Sequence, residues 1–250
     1  MNKKFLELAK KSKVIVIKVG SNILVNENHV LRKKWLNSLI EDVKELQKRG
    51  SKIIIVSSGA IALGRNILSK KKLTNLHEKQ AAASIGQIQL SQQWQKAFAK
   101  LNIQSSQILI TAEDLNERRK YLNIRNTIYS LMDLNVVPII NENDTTSTEE
   151  IRFGDNDKLS AMIANALSAE LLILLSDVNG LYTANPKKSL QAKLITSVEE
   201  VDQQIEKYID KDLSEFGSGG MLAKINAAKL CIQSGSTMII SNGLVNNPLS

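Results

Sequence analysis

Lys18 closes an apolar, β-branched run at 14–18. A cation at the end of a buried strand is costly unless an anion meets it. Either a carboxylate from a neighbouring strand pairs with it, or it clamps a phosphate. Two acidic-amide clusters offer carboxylates: Asn141-Glu142-Asn143-Asp144 and, shortly after, Gly154-Asp155-Asn156-Asp157. These clusters form Asx turns, or they hold magnesium, an ammonium group or a lysine. Glycine- and serine-rich segments recur at 18–22, 57–60, 176–180 and 241–243, and Gly217-Ser218-Gly219-Gly220 precedes Lys224. Glycine lets backbone amides approach phosphate oxygens, and helix N-termini favour anions. One such segment reflects turn chemistry as readily as binding; their recurrence points to a phosphate ligand.

Other chemistries are excluded by pattern. There is no G-x-x-x-x-G-K-[ST] phosphate loop, and G-x-G-x-x-G is absent from the first strand–helix turn. There is no G-x-S-x-G elbow, and His29 and His77 lie in polar or lysine-rich surroundings, which disfavours a hydrolase triad. No Cys/His cluster suggests zinc.

The elements that must position these residues alternate. Short apolar runs at 14–18, 52–56, 108–111, 136–140, 171–176 and 237–241 read as strands. Stretches at 32–49, 80–100, 121–134, 159–167 and 223–233 read as helices. Strand–helix alternation predicts an α/β fold with a largely parallel sheet. Near-continuous apolar strands predict a sheet covered on both faces. In such sheets ligands bind beyond the carboxyl ends of the strands, where the polar segments lie. The segment from 182 to 214, polar and carrying Pro186, reads as a peripheral excursion. Trp35 and Trp94 read as helix-face packing, Arg125 and Asp133 as surface helix charges, and Cys231 as a buried, inert thiol.

The 250 residues carry a net charge of +8. Residues 1–125 hold 24 Lys+Arg against 9 Asp+Glu, a net +15, and residues 126–250 a net −7. Basic runs such as Arg118-Arg119-Lys120 lack interleaved aromatics for base stacking, so nucleic acid is not the expected partner. A single cysteine excludes an internal disulfide and fits a reducing cytoplasm. No apolar run reaches the ~20 residues of a membrane span.

These segments together resemble the glutamate 5-kinases of the amino-acid kinase family. The likeness rests on Ile17-Lys-Val-Gly-Ser21, Val56-Ser-Ser-Gly-Ala-Ile61, Ala81-Ala-Ala-Ser-Ile-Gly-Gln87, Asn141-Glu-Asn-Asp144, Gly154-Asp-Asn-Asp157, Leu175-Ser-Asp177, Gly180-Leu-Tyr-Thr183 and Gly217-Ser-Gly-Gly-Met221 with Lys224. The pieces occur in the family's order over about 14–243. The resemblance implies a three-layer αβα sandwich forming one kinase domain over 1–250, without the C-terminal PUA module and the closing Gly-Thr-hydrophobic-Phe segment of many relatives. It implies ATP- and Mg2+-dependent phosphorylation of the L-glutamate side chain to γ-glutamyl phosphate, the first step of proline biosynthesis.

By the same resemblance, Lys18 and Lys224 hold the nucleotide phosphates and stabilise the transferring group, and Asp157 orients both. Gly20 and Gly59 offer backbone N–H groups. Ser58, Asp144 and Asn156 bind glutamate, supported by Asn141 and Asp155. Ser176, Asp177, Ser218, Gly219, Gly220 and Met221 join Lys224 in binding ATP. A homo-oligomer (dimer or tetramer), proline as feedback inhibitor and handover to a γ-glutamyl phosphate reductase are implied as well. The alternatives are another kinase of this fold, acting on aspartate, carbamate, UMP or isopentenyl phosphate, and an inactive regulator that binds nucleotide or RNA.

Overall fold

The computed structural model describes residues 3–69, 72–147, 155–184, 186, 189–203, 205, 206, 208 and 219–250. Six parallel strands form its central sheet: β1 (Val14–Val19), β2 (Lys52–Ser57), β3 (Ser105–Ile110), β4 (Val137–Glu142), β5 (Leu171–Ser176) and, after a small hairpin, β8 (Thr237–Asn242). Their order across the sheet is β3-β4-β2-β1-β5-β8. The hairpin pairs β6 (Leu181–Tyr182) antiparallel with β7 (Leu194–Ile195), inside the segment read as a peripheral excursion.

Side chains alternate across each strand, and the alternation builds two cores. Ile15, Ile17 and Val19 of β1 face a layer containing α1 (Lys3–Lys11), α3 (Lys33–Lys48), α4 (Ala60–Ile67) and α5 (Leu76–Ala99). Val16 faces the opposite layer, made by α6 (Ala112–Asn116), α7 (Arg118–Asp133), α8 (Asp155–Ala166) and α9 (Gly219–Ser234). The expected αβα sandwich is therefore observed. A one-turn helix, α2 (Ser21–Leu24), follows β1 directly. Among the described residues no helix is long and apolar enough to cross a membrane.

Several helices start earlier than their apolar periodicity announces, because caps and polar first turns carry no hydrophobic signal. Helix α5 begins at Leu76, where the Asn75 side chain accepts from the Glu78 N–H at 2.9 Å. Helices α8 and α9 begin at Asp155 and Gly219, so Asp155-Asn156-Asp157 forms a helical first turn. Helices α1 and α4 have no counterpart in the sequence reading.

Helices α4 and α5 pack backbone against backbone. A Cβ added at Gly64 would lie 1.8 Å from the Ala82 carbonyl oxygen, and one at Gly86 would lie 1.8 Å from that of Ala60. Only glycine permits this approach. It fixes the start of α4, immediately after Gly59, whose φ of 112° is itself in the left-handed region.

Trp35 and Trp94 are buried, as expected of packing residues. Cys231 is fully buried, and burial pushes its thiol up to about 11, which makes it inert at neutral pH. Arg125 lies over the Tyr129 ring, 5.4 Å from its centroid.

Candidate active site

Lys18 shares the sheet face of Val16, so its side chain runs toward α8 and α9. Helix α8 presents Asp157 within its first turn, and α9 presents Lys224 in its second. Lys18 Nζ lies 2.5 Å from Asp157 Oδ1, and Lys224 Nζ donates to Asp157 Oδ2 at 2.9 Å. The carboxylate is 1% exposed and the two lysines 8% each. Three elements distant in sequence thus deliver one buried anion between two cations.

Burial alone would raise the Asp157 carboxyl, but the ammonium groups of Lys18 and Lys224 overcome it and hold the group below its ordinary value. The helix N-terminus acts in the same direction. Burial lowers Lys18, Asp157 draws it back up, and the nearby charge of Lys224 adds to the lowering; the net position is below the ordinary lysine value. The cluster carries one net positive charge before any ligand arrives, a strong attractor for a polyanion at low local dielectric.

Beside it lies a chain of amides. Asn156 Nδ2 donates to Ser58 Oγ (2.8 Å), Asn141 Oδ1 (3.1 Å) and Ser57 O (3.2 Å). Its Oδ1 is buried without a hydrogen-bond partner. Asn141 Nδ2 in turn donates to Gln87 Oε1 at 2.8 Å. The segment after β4 lines a cleft of about 240 Å³ with Gln87, Ile88 and Leu109, and Asp144 belongs to that lining. Trp94 Nε1 donates to Ser57 Oγ at 2.9 Å, tying α5 to the end of β2.

On the other side, Ser176 Oγ donates to Asp177 Oδ1 (3.2 Å) and Asn22 Nδ2 donates to Asp177 Oδ2 (3.4 Å). These bonds link the end of β5 to the turn after β1. Gly20 N–H donates to Leu175 O at 3.3 Å, and a Cβ there would sit 3.8 Å from Lys18 Nζ. The Gly20 N–H, expected to face a ligand, is directed at Leu175 O instead. Gly59 caps α4 at the carboxyl end of β2.

Lys18, Asp157 and Lys224 are thus in one cluster, and Ser58, Asn156 and Asn141 are in an adjoining one. Gly219 and Gly220 open α9, four residues ahead of the helix start read at 223, so Met221 is helical together with Lys224. Met221 packs against the small apolar cluster of Leu181, Ile205 and Ile225. Ser218 and the Asp155 side chain lie outside the described residues. Gln87 and Asn22 received no role from sequence; Gln87 closed one of the quoted segments, but nothing in that segment marked its partner.

Residues 13–242 match the model of the amino acid kinase family. The chain is 51% identical over 241 residues to a glutamate 5-kinase of Pelagibacter ubique, covering 96% of this chain and 66% of that protein. It is 48% identical to a glutamate 5-kinase of Brucella abortus, covering 94% and 63%. The chain therefore spans just under two thirds of the length of these relatives. Among solved structures, the carbamate kinase from Giardia lamblia bound to AMP-PNP superposes with a TM-score of 0.64 at 16% identity, covering 95% of this chain and 94% of that one. The T. acidophilum isopentenyl phosphate kinase in its product complex gives 0.63 at 13% identity, covering 94% and 92%. These two likenesses concern the fold.

Proposed function

Because this chain belongs to the amino acid kinase family, we propose that it transfers the γ-phosphoryl group of ATP to the side-chain carboxylate of L-glutamate. The observation that carries the reading is the buried Lys18–Asp157–Lys224 cluster, flanked by the amide chain at Ser58. The names of relatives about 50% identical supply the acceptor.

An oxygen of the glutamate side chain attacks the γ-phosphorus, the bond to the β–γ bridging oxygen breaks, and ADP leaves with that electron pair. The product is an acyl phosphate. A glutamate carboxyl has an ordinary pKa near 4.3, so the nucleophile is ionised at neutral pH and no general base is required. Catalysis then reduces to positioning and to charge stabilisation. Lys18 and Lys224 sit where they neutralise the phosphoryl oxygens, and Asp157 holds them in place.

The free Oδ1 of Asn156 is an acceptor suited to the α-ammonium of the amino acid, with Asp144 supplying negative charge. Asn141 supports that pocket through Asn156, and Ser176, Asp177 and residues 219–221 flank the nucleotide. Among the described residues no group of three or more His, Cys, Asp or Glu is placed to hold an ion. Both Asp157 oxygens already face ammonium groups, so magnesium fits best on the phosphates of the nucleotide, its usual station. When bound it neutralises polyphosphate charge. Acyl phosphates are labile, so a reaction that reduces or captures the product has to follow.

A hydroxylamine trap tests the reading. Incubation with Mg-ATP, hydroxylamine and a panel of acids should give hydroxamate with L-glutamate and not with aspartate. No hydroxamate with any acid would overturn it.

A further inference from the structure

The amide chain has a direction. Asn156 commits its Nδ2 to Ser57 O, Ser58 Oγ and Asn141 Oδ1, which leaves Oδ1 as a buried acceptor with nothing to accept. That polarity is held by Ser57 O, a backbone carbonyl that only accepts, and by Asn141, which presents its oxygen to Asn156 and its nitrogen the other way. Asn141 is so oriented because its Nδ2 meets Gln87 Oε1 at 2.8 Å. Gln87 is oriented in turn by Ser91, whose Oγ accepts from Gln87 Nε2 at 3.2 Å and donates to the Gln87 carbonyl at 2.8 Å. The backbone at this point has no slack, since Gly86 lies against the Ala60 carbonyl one residue past Gly59.

We propose that Gln87 is a positioning residue for the acceptor subsite. Through Asn141 it joins Ser57 O in holding the amide of Asn156 where its oxygen is free for a hydrogen-bond donor on the acceptor, and it takes no part in holding the nucleotide. A side-chain amide reversed at Asn141 would set a donor against the Asn156 Nδ2 that Ser57 O holds in place, and Asn156 would have to shift, carrying its free oxygen out of position. The inference rests on the kinase reading above for the identity of the acceptor, but the relay itself is a property of the ligand-free protein.

Two variants separate the possibilities. Gln87→Met keeps side-chain length and removes the oxygen; Gln87→Glu keeps an oxygen toward Asn141. We expect Gln87→Met to raise KM for glutamate about tenfold, the upper scale of one ordinary hydrogen bond. KM for ATP should hold, Tm should fall in Gln87→Met because the buried Asn141 Nδ2 loses its acceptor, and Gln87→Glu should restore most of the glutamate KM. Side-chain amide 15N–1H resonances of Asn141 and Asn156, recorded without ligand, should move in Gln87→Met and stay near their wild-type positions in Gln87→Glu. Unmoved resonances in Gln87→Met overturn the relay. So does an equal rise in both KM values, or a Gln87→Glu variant as impaired as Gln87→Met. If wild-type protein yields no hydroxamate, the kinase reading fails, and the resonances still decide the relay.

Discussion

Lys18 and Asp157, 139 positions apart in the chain, meet at 2.5 Å inside the protein, and Lys224 takes the other carboxylate oxygen. One carboxylate thereby holds two ammonium groups at the carboxyl end of the sheet. Alone, two buried lysines so close would repel; Asp157 between them holds both, as the phosphate-binding role proposed above requires. The same arrangement makes each member's contribution separable.

Lys18→Ala should lower kcat by roughly 100-fold or more, the scale of losing a donor aimed at developing transition-state charge. The fold should survive, because Asp157 keeps Lys224. Steady-state kinetics with a circular dichroism control checks this; near-wild-type kcat would remove Lys18 from the chemistry.

Asp157→Asn should act at both ends of the pH range. Lys18 sits below its ordinary 10.5 because burial outweighs the pull of Asp157. Without that carboxylate it drops further, so the alkaline fall of kcat/KM for ATP should move to lower pH. On the acid side, the Asp157 carboxyl is depressed below its ordinary 3.8. A depressed carboxyl contributes stability that is present above the unfolded value and lost as pH falls through the folded one. The wild type should therefore lose this contribution below about pH 3.8, and the variant should not. Urea midpoints between pH 5 and pH 2.5 report the difference.

Gly86→Ala places a methyl group 1.8 Å from the Ala60 carbonyl oxygen. Helices α4 and α5 must separate to admit it. We expect a loss of about 3 kcal/mol, the upper range for overpacking, or ~6–12 °C in Tm for a chain of this size. Because the shift reaches Gly59 and Gln87, KM for the acceptor should rise as well. Calorimetry and kinetics on the same preparation test the coupling.

Asp42→Ala is the contrasting case. Asp42 on α3 is buried and accepts from Leu249 N (2.8 Å), Asn247 Nδ2 (3.1 Å) and Ser250 Oγ, which fastens the segment after β8 and its buried Leu249. Removing the carboxylate leaves these donors without it, at a cost of about 2–4 kcal/mol. Tm should fall with kcat unchanged. A kcat loss exceeding the change in folded fraction would show that this segment reaches the site.

Much of the fold was legible because covered parallel strands are apolar throughout, and their ends are marked by glycine, serine and acidic residues. Leu171–Ser176 was readable to the residue. Helix α4 was not, since it has only eight residues and meets α5 through Ala60 and Gly64, small residues whose role is to let backbones touch. The beginnings of α8 and α9 were hidden by polar and glycine residues whose helical state depends on the sheet they abut.

By itself the sequence determined the class of chemistry: lysines, amides and glycines at strand ends, with no nucleophile–base pair. The tertiary structure alone decided who meets whom. Which carboxylate answers Lys18 depends on strand order and on the face to which residue 18 points. The residue types left the carboxylates of the 141–144 and 154–157 clusters open, the family resemblance pointed to Asp157, and the sheet placed α8 and α9 over the face of Val16 and Lys18. The direction of the Gln87–Asn141–Asn156 relay belongs to the same category, because an amide's orientation is set by partners in space and leaves no trace in its spacing along the chain.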